Sequence, residues 1–301
     1  MRVFVAGGTG VIGRRLVPLL VARGHEVVAT TTRPEKRAAI ERQGATAVLM
    51  DGLDAASVGE AVATAEPEVI VHQMTSIPQN LDVMHPEREF ATTTRLRTEG
   101  LDHLVAAADS LGGVHLVAQS YASWNGIRHG GWVKTEAEPL DPAHLATPSL
   151  QHIDDVVLPR GGAVLRYGWL YGPGASAGLV GPIRKRQFPL VGGGAAHTSW
   201  VHVDDAASAT VLAVEQRAGG VFNIVDDDPA AVSEWLPYLA SRLGAKPPLR
   251  VPAWVLRVAG GGFVVWMMTE GRAFSNAKAK RQLGWQPAFA SWRDGFATGL
   301  E

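Results

Sequence analysis

The chain opens MRVFVAGGTGVIG, residues 1–13, and this stretch decides the fold. Arg2-Val3-Phe4-Val5-Ala6 is a short apolar run suited to a buried parallel strand. Glycines follow at 7, 10 and 13, and residues 14–21, RRLVPLLV, then carry the apolar repeat of a helix face. A strand that turns straight into a helix aims the helix's unpaired N–H groups, and the positive end of its dipole, at one spot. A pyrophosphate fits that spot. Gly7 then makes the tight turn, Gly10 lets phosphate approach the backbone, and Gly13 lets helix and strand pack closely. A glycine triplet alone is weak evidence, but here the strand and helix that the motif requires flank it. Thr9, Val11 and Ile12 share the loop and are expected beside the same dinucleotide.

The next turn and strand bear on which dinucleotide. Residues 26–30, EVVAT, predict the second strand, and the adenosine ribose lies at its end. An acidic residue there would hydrogen-bond the 2′-hydroxyl of NAD. Thr30-Thr31-Thr32-Arg33 stands there instead, with Lys36 and Arg37 one turn on. Arg33 is suited to a 2′-phosphate through two parallel hydrogen bonds, with Thr31 beside it and Arg14 closing on the same group. NADP is therefore expected over NAD; the plainer alternative leaves both arginines as solvated surface charges.

Further strands are expected at 45–50, 67–73, 114–118, 163–167 and 221–225. The third ends at Asp51-Gly52, where Asp51 would accept from the adenine amino group, unless Asp51 or Asp54 caps a helix over 55–65. The fourth delivers His72 and Gln73 towards the cofactor, and the fifth delivers Gln119-Ser120-Tyr121 to the C-terminal edge of the sheet. One long helix is expected over 88–110 and others over 149–158, 206–217, 231–243, 252–259 and 276–283. The pattern is α/β, a doubly wound parallel sheet of the Rossmann type. Residues 1–170 with 200–226 would form the dinucleotide domain, and 171–199 with 227–301 a mainly helical substrate lobe.

Composition narrows the function. A net charge of −1 removes the electrostatic footprint of a nucleic-acid binder. The apolar run 255–268 is interrupted by Arg257 and three glycines and is too short to span a membrane. No cysteine is present, which excludes disulfides, thiolate metal sites and a cysteine nucleophile. His202 has no second ligand at helical or hairpin spacing, so no metal site is expected. With the first strand starting at residue 2 and no signal segment before it, a cytoplasmic protein is expected. Nothing decides between a monomer and a homodimer.

Taken together, GGTGVIG at 7–13, VIVHQ at 69–73, LRYGWLYGPG at 165–174, WVHVDDAASA at 200–209, VFNIVDD at 221–227 and NAKAKRQLGWQP at 276–287 resemble the extended short-chain dehydrogenase/reductase superfamily, of the NAD(P)-dependent epimerase/dehydratase type. The resemblance spans nearly the whole chain in the family's order. It implies a parallel sheet of about seven strands, with a smaller lobe closing over the nicotinamide.

The resemblance stops at the chemistry. The family's proton relay is a tyrosine four residues before a lysine, and none of the four tyrosines here has a lysine at that spacing. If Asp154 is matched to the family's acidic residue on that helix, Ala146 and Leu150 stand where tyrosine and lysine would. The family's helix-four asparagine is also lost, with Arg95, Arg97 and His103 nearby. Ser120 survives as the serine after strand five and would hold a substrate oxygen, or else bond the local backbone. Tyr121 or Tyr167 would supply a proton in place of the missing phenol, or else pack as wall residues; Tyr171 and His129 are lesser candidates. The Asp204-Asp205 pair predicts a helix cap. Trp124, Trp132, Trp254 and Trp266 point to an apolar small-molecule substrate. The expected activity is an NADP-dependent oxidoreductase acting on a carbonyl, alcohol or activated double bond. An NADP-binding sensor without turnover is the alternative, and sugar-nucleotide epimerase or dehydratase chemistry ranks third.

Overall fold

The computed structural model describes residues 1–78, 82 and 84–300. Among these, seven strands form one parallel sheet: β1 Arg2–Ala6, β2 Glu26–Thr31, β3 Thr46–Leu49, β4 Val69–His72, β5 His115–Tyr121, β6 Ala163–Tyr167 and β7 Gly220–Ile224. Their order is β7-β6-β5-β4-β1-β2-β3. The order reverses between β1 and β4, which opens a crevice beyond the C-terminal ends of those two strands.

The strands lack polar alternation because helices cover both faces of the sheet. Val3 and Val5 point to one face, against Leu16 and Leu20 of α1 (Gly13–Ala22). Ala206 and Val214 of the helix Val203–Glu215 complete that layer. Phe4 and Ala6 point to the other face, against the helices Ala55–Ala65, Glu99–Leu111 and Thr147–Val157. A third cluster is drawn wholly from residues beyond 121 and is built on Trp200, Trp235, Trp292 and Phe296.

Several expectations need correction. The helix expected over 88–110 is two, Pro86–Arg97 and Glu99–Leu111, broken at Thr98, whose φ of −101° and ψ of −83° are not helical. The Thr98 hydroxyl donates back to the Thr94 carbonyl at 3.1 Å, the local competition that makes threonine a poor interior helix residue. Helices Gly262–Thr269 and Trp292–Thr298 lie outside the expected elements. The first is apolar on every side and so shows no periodicity. The Asp204-Asp205 pair does not cap its helix: His202 does, its Nδ1 accepting from the Asp204 N–H at 3.2 Å. Asp205 instead takes the N–H groups of Ala288 and Phe289 at 2.7 and 3.0 Å, tying down the C-terminal segment. No helix among the described residues is long and apolar enough to cross a membrane.

Candidate active site

The glycine loop is built around threonines. The Gly7 N–H donates to Thr30 Oγ1 at 3.0 Å and the Gly8 N–H to the Thr30 carbonyl at 2.9 Å. The Thr9 and Thr31 hydroxyls lie 3.2 Å apart, and Thr31 Oγ1 also accepts from the Arg33 N–H at 3.2 Å. Thr31, expected beside the cofactor, therefore spends its hydroxyl on holding the loop to the end of β2. Gly7 adopts φ +97°, and a Cβ there would lie 2.8 Å from the Gln73 carbonyl oxygen. A Cβ on Gly13 would lie 2.4 Å from the Gly7 oxygen, so that glycine serves helix–strand packing. A Cβ on Gly10 would meet only the Gly7 oxygen, at 3.2 Å, so its outer side is open. That open backbone cradle fits a pyrophosphate.

Around the loop, Val11 is half-buried, whereas the Ile12 side chain enters the core, leaving its backbone as the part that faces the loop. Arg33 is exposed at the end of β2. Arg14 is exposed too, but its guanidinium lies against Gly174, just past the short strand Trp169–Tyr171, rather than at the end of β2. Asp54 is the helix cap, accepting from the Ala56 and Ser57 N–H groups at 2.9 and 3.2 Å. Asp51 stays exposed and accepts from the Leu53 N–H at 2.9 Å. Gly52 is buried against Met74, whose sulfur would lie 2.4 Å from a Cβ at that position. His72 is buried with Nε2 donating to the Leu96 carbonyl at 2.9 Å, and burial lowers the imidazole's proton affinity.

At the C-terminal ends of β5 and β6, the structure takes one expected proton donor out of reach. Tyr167 is sealed in the core on the α1 side of the sheet, its hydroxyl held by Gln73 Nε2 at 2.9 Å and Thr210 Oγ1 at 2.7 Å. Burial pushes this phenol up to about 12. Tyr167 thus corrects the expectation of an available acid, and Gln73 is committed to it. Ser120 pairs in register with Arg166 and so shares its face of the sheet, where Arg166 is ion-paired with Asp154. Its Oγ is buried without a partner. Tyr121, one residue on, is half-buried and stacks at 6.4 Å on His144. Burial raises the Tyr121 phenol well above its ordinary value, so it keeps its proton.

The helix Thr147–Val157 brings neither phenol nor ammonium to this point: Leu150 is fully buried and Ala146 precedes the first turn. Two groups that the sequence does not mark as site residues, Arg97 and His144, act on Tyr121 instead. Arg97, at the end of its helix, is only 8% exposed, its Nε has no partner, and no carboxylate pairs with it among the described residues. Burial lowers the guanidinium to about 10. Its charge acts on Tyr121, His72 and His144. His144 is buried in the 122–148 segment, 4.8 Å from the Trp266 ring and 6.3 Å from Phe263. Thr93, one helical turn before Arg97, is buried too, but a threonine and an arginine four residues apart mark no inward face in the sequence. Nothing local marks His144. Of the expected tryptophans only Trp266 meets this group: Trp124 donates to Thr198, Trp132 stacks on His197 and Trp254 is open to solvent.

Residues 7–147 match the NAD(P)H-binding family model and residues 161–225 the NAD dependent epimerase/dehydratase family model. The fold and cradle define an NAD(P)-binding protein of Rossmann type, and relatives named as reductases make the class an NAD(P)-dependent oxidoreductase. A 3-diazoavenalumate denitrifying reductase from a Streptomyces species is 43% identical over 98% of this chain and 99% of its own length. A 4-hydroxy-2-methyl-3-oxo-4-farnesyl-3,4-dihydroquinoline-1-oxide ketoreductase from Stigmatella aurantiaca is 26% identical over 95% of this chain and 92% of its own. Among solved structures, Thermus thermophilus UDP-glucose 4-epimerase with NAD superposes with a TM-score of 0.78 at 23% identity, covering 100% of this chain and 98% of that one. Human epimerase family protein SDR39U1 with NADPH gives 0.75 at 20%, covering 100% and 99%. The chain belongs to the extended short-chain dehydrogenase/reductase superfamily, in its NAD-dependent epimerase-like branch.

Proposed function

We propose that the protein is an NADPH-dependent reductase that replaces the diazo group of an aromatic acid with hydrogen. The observation that carries this reading is the missing proton relay: the helix Thr147–Val157, where the family's phenol and ammonium would stand, contains neither tyrosine nor lysine, in a chain 43% identical to a denitrifying reductase of a diazo carboxylate. Reduced nicotinamide supplies a hydride, and exchanging that hydride for N2 on an arenediazonium, Ar–N2⁺ + NADPH → Ar–H + N2 + NADP⁺, balances without gain or loss of a proton. Ketone reduction and sugar epimerisation both need a proton moved; this exchange does not. The chain's own residues then have positioning and water exclusion to perform. Tyr121, whose burial holds its proton in place, lines the site rather than delivering a proton.

In this reading the glycine loop with Val11 and Ile12 holds the diphosphate, and Arg33 takes the 2′-phosphate that favours NADP over NAD. Arg14, Asp51, Gly52, His72 and Gln73 shape the crevice behind them, while residues 171–199 and 227–301 form the substrate lobe.

The test is turnover of an arenediazonium carboxylate with NADPH deuterated at C4. Deuterium should appear at the ring carbon that lost nitrogen, with release of N2. Deuterium entering from D2O instead, or no turnover beside brisk reduction of ketones, overturns the proposal. Tyr121→Phe should lose far less than the roughly 10²–10⁴-fold in kcat that removing a general acid costs.

A further inference from the structure

We infer that Arg97, with Tyr121 and His144, forms a subsite for the carboxylate of a planar aromatic acid. The inference rests on the reductase reading and deepens it by naming the part of the substrate that this end of the cleft grips.

A guanidinium buried without a counter-ion is costly, and proteins retain one where a ligand completes it. Arg97 is more than nine-tenths buried, its Nε is unpartnered, and no carboxylate among the described residues pairs with it. The nearest acidic group to His144, Asp141, is committed to Arg128 and to the Ala143 N–H. The Arg97 charge acts on Tyr121, His144 and His72, and His72 spends its Nε2 proton on the Leu96 carbonyl while its Nδ1 is buried without a partner. His144 Nδ1 accepts from the Ala146 N–H at 3.1 Å, so the neutral ring carries its proton on Nε2, where no partner is found among the described residues. Tyr121 keeps its phenolic proton in the stack with His144. Arg97, His144 Nε2 and the Tyr121 phenol offer donors to which no carboxylate is paired among the described residues, and such a group describes an anion site. The planar fork of arginine matches a carboxylate in particular, through two parallel hydrogen bonds. The walls set the rest of the ligand: His144, Phe263 and Trp266 present ring faces within about a ring's reach of one another, at centroid separations of 6.3, 4.8 and 5.9 Å. The three rings touch one another and so form one aromatic surface, on which a flat aryl group stacks better than a sugar.

The experiment is equilibrium binding of trans-cinnamate and its neutral isostere cinnamamide to the NADP⁺-loaded protein. Cinnamate should bind at least about tenfold more tightly than the amide. Arg97→Gln should abolish that preference and leave NADPH affinity unchanged, while Arg97→Lys should keep part of it. Equal binding of acid and amide to the unmodified protein overturns the inference, as does full cinnamate affinity in the glutamine variant or a preference for cinnamamide over cinnamate. Should the glutamine variant fail to fold, the unmodified protein's preference and the lysine variant decide the matter. A protein that prefers cinnamate through Arg97 but turns over no diazonium keeps this subsite and loses the proposed reaction. A protein that turns over the diazonium with an unchanged KM in Arg97→Gln keeps the reaction and loses the subsite.

Discussion

Arg33 is the residue whose meaning is most local. It follows β2 directly, and the Thr31 hydroxyl fixes its backbone by accepting its N–H, so its side chain starts from a defined point beside the glycine loop. Arg33→Ala should weaken NADPH by about tenfold or more while NADH changes by no more than about twofold, measured by fluorescence titration. Equal losses would separate Arg33 from the 2′-phosphate. His144 is the opposite case, because its role depends on Tyr121, Phe263 and Trp266 at remote positions, and no spacing rule could have exposed it. Burial pushes this imidazole down to about 4 from 6.5. The unfolded chain therefore takes up the proton first as pH falls. The stabilising contribution is complete above about pH 6.5 and is lost as pH falls towards 4, a difference on the order of 3 kcal/mol. His72, His115, His197 and His202 are pushed the same way, so the His144 share is the difference between the protein and His144→Gln in how far the urea-unfolding free energy falls from about pH 7 to about pH 4.

At the scale of elements, the junction of β1 and α1 was legible because each glycine has its own steric reason. Gly13 is hemmed by backbone: a methyl carbon placed on it would lie 2.4 Å from the Gly7 oxygen and 2.7 Å from the Gly8 carbon and oxygen, and backbone cannot swing aside. Gly10 has only one neighbour, at 3.2 Å. The two alanine variants should therefore differ in kind. Gly13→Ala should lower the melting temperature, at a cost of about 1–3 kcal/mol, and weaken NADPH binding. Gly10→Ala should leave the unliganded protein nearly as stable and remove most NADPH affinity, because its methyl group enters the space of the diphosphate. Thermal melts with and without NADPH distinguish the two, and a large loss of unliganded stability in Gly10→Ala would contradict the assignment. The break at Thr98 was not legible, since residues 88–110 carry apolar positions on both sides of it. Only a hydroxyl turned back on its own helix separates the two segments, and that choice is made by packing rather than by pattern.

The molecule as a whole joins a sheet whose strands follow one another in the sequence to a third apolar cluster assembled from distant segments. The sheet could be read from the chain because each strand carries a short run of consecutive apolar residues and helical sequence precedes the next. The cluster could not, because its members come from short strands, a loop and helices that share no period. Thr198 shows how it is held. This residue is fully buried, and its single hydroxyl oxygen accepts the indole N–H of Trp124 at 2.9 Å and of Trp235 at 3.0 Å. Trp124 belongs to the 122–148 segment that also carries His144, and Trp235 to the helix Val232–Arg242. One oxygen thus fastens the wall of the cleft to the cluster behind it. Thr198→Val keeps the shape and leaves two buried indole donors unpaired, each costing about 1–3 kcal/mol. The variant should melt well below the parent, and Thr198→Ser, which keeps the oxygen, should recover most of the loss. The consequence should also reach the cleft, because Trp124 and Arg272 exchange backbone hydrogen bonds on the segment that Thr198 anchors. A Thr198→Val protein with parental stability would show that the two indoles find other acceptors and that the cluster is not fastened through this hydroxyl.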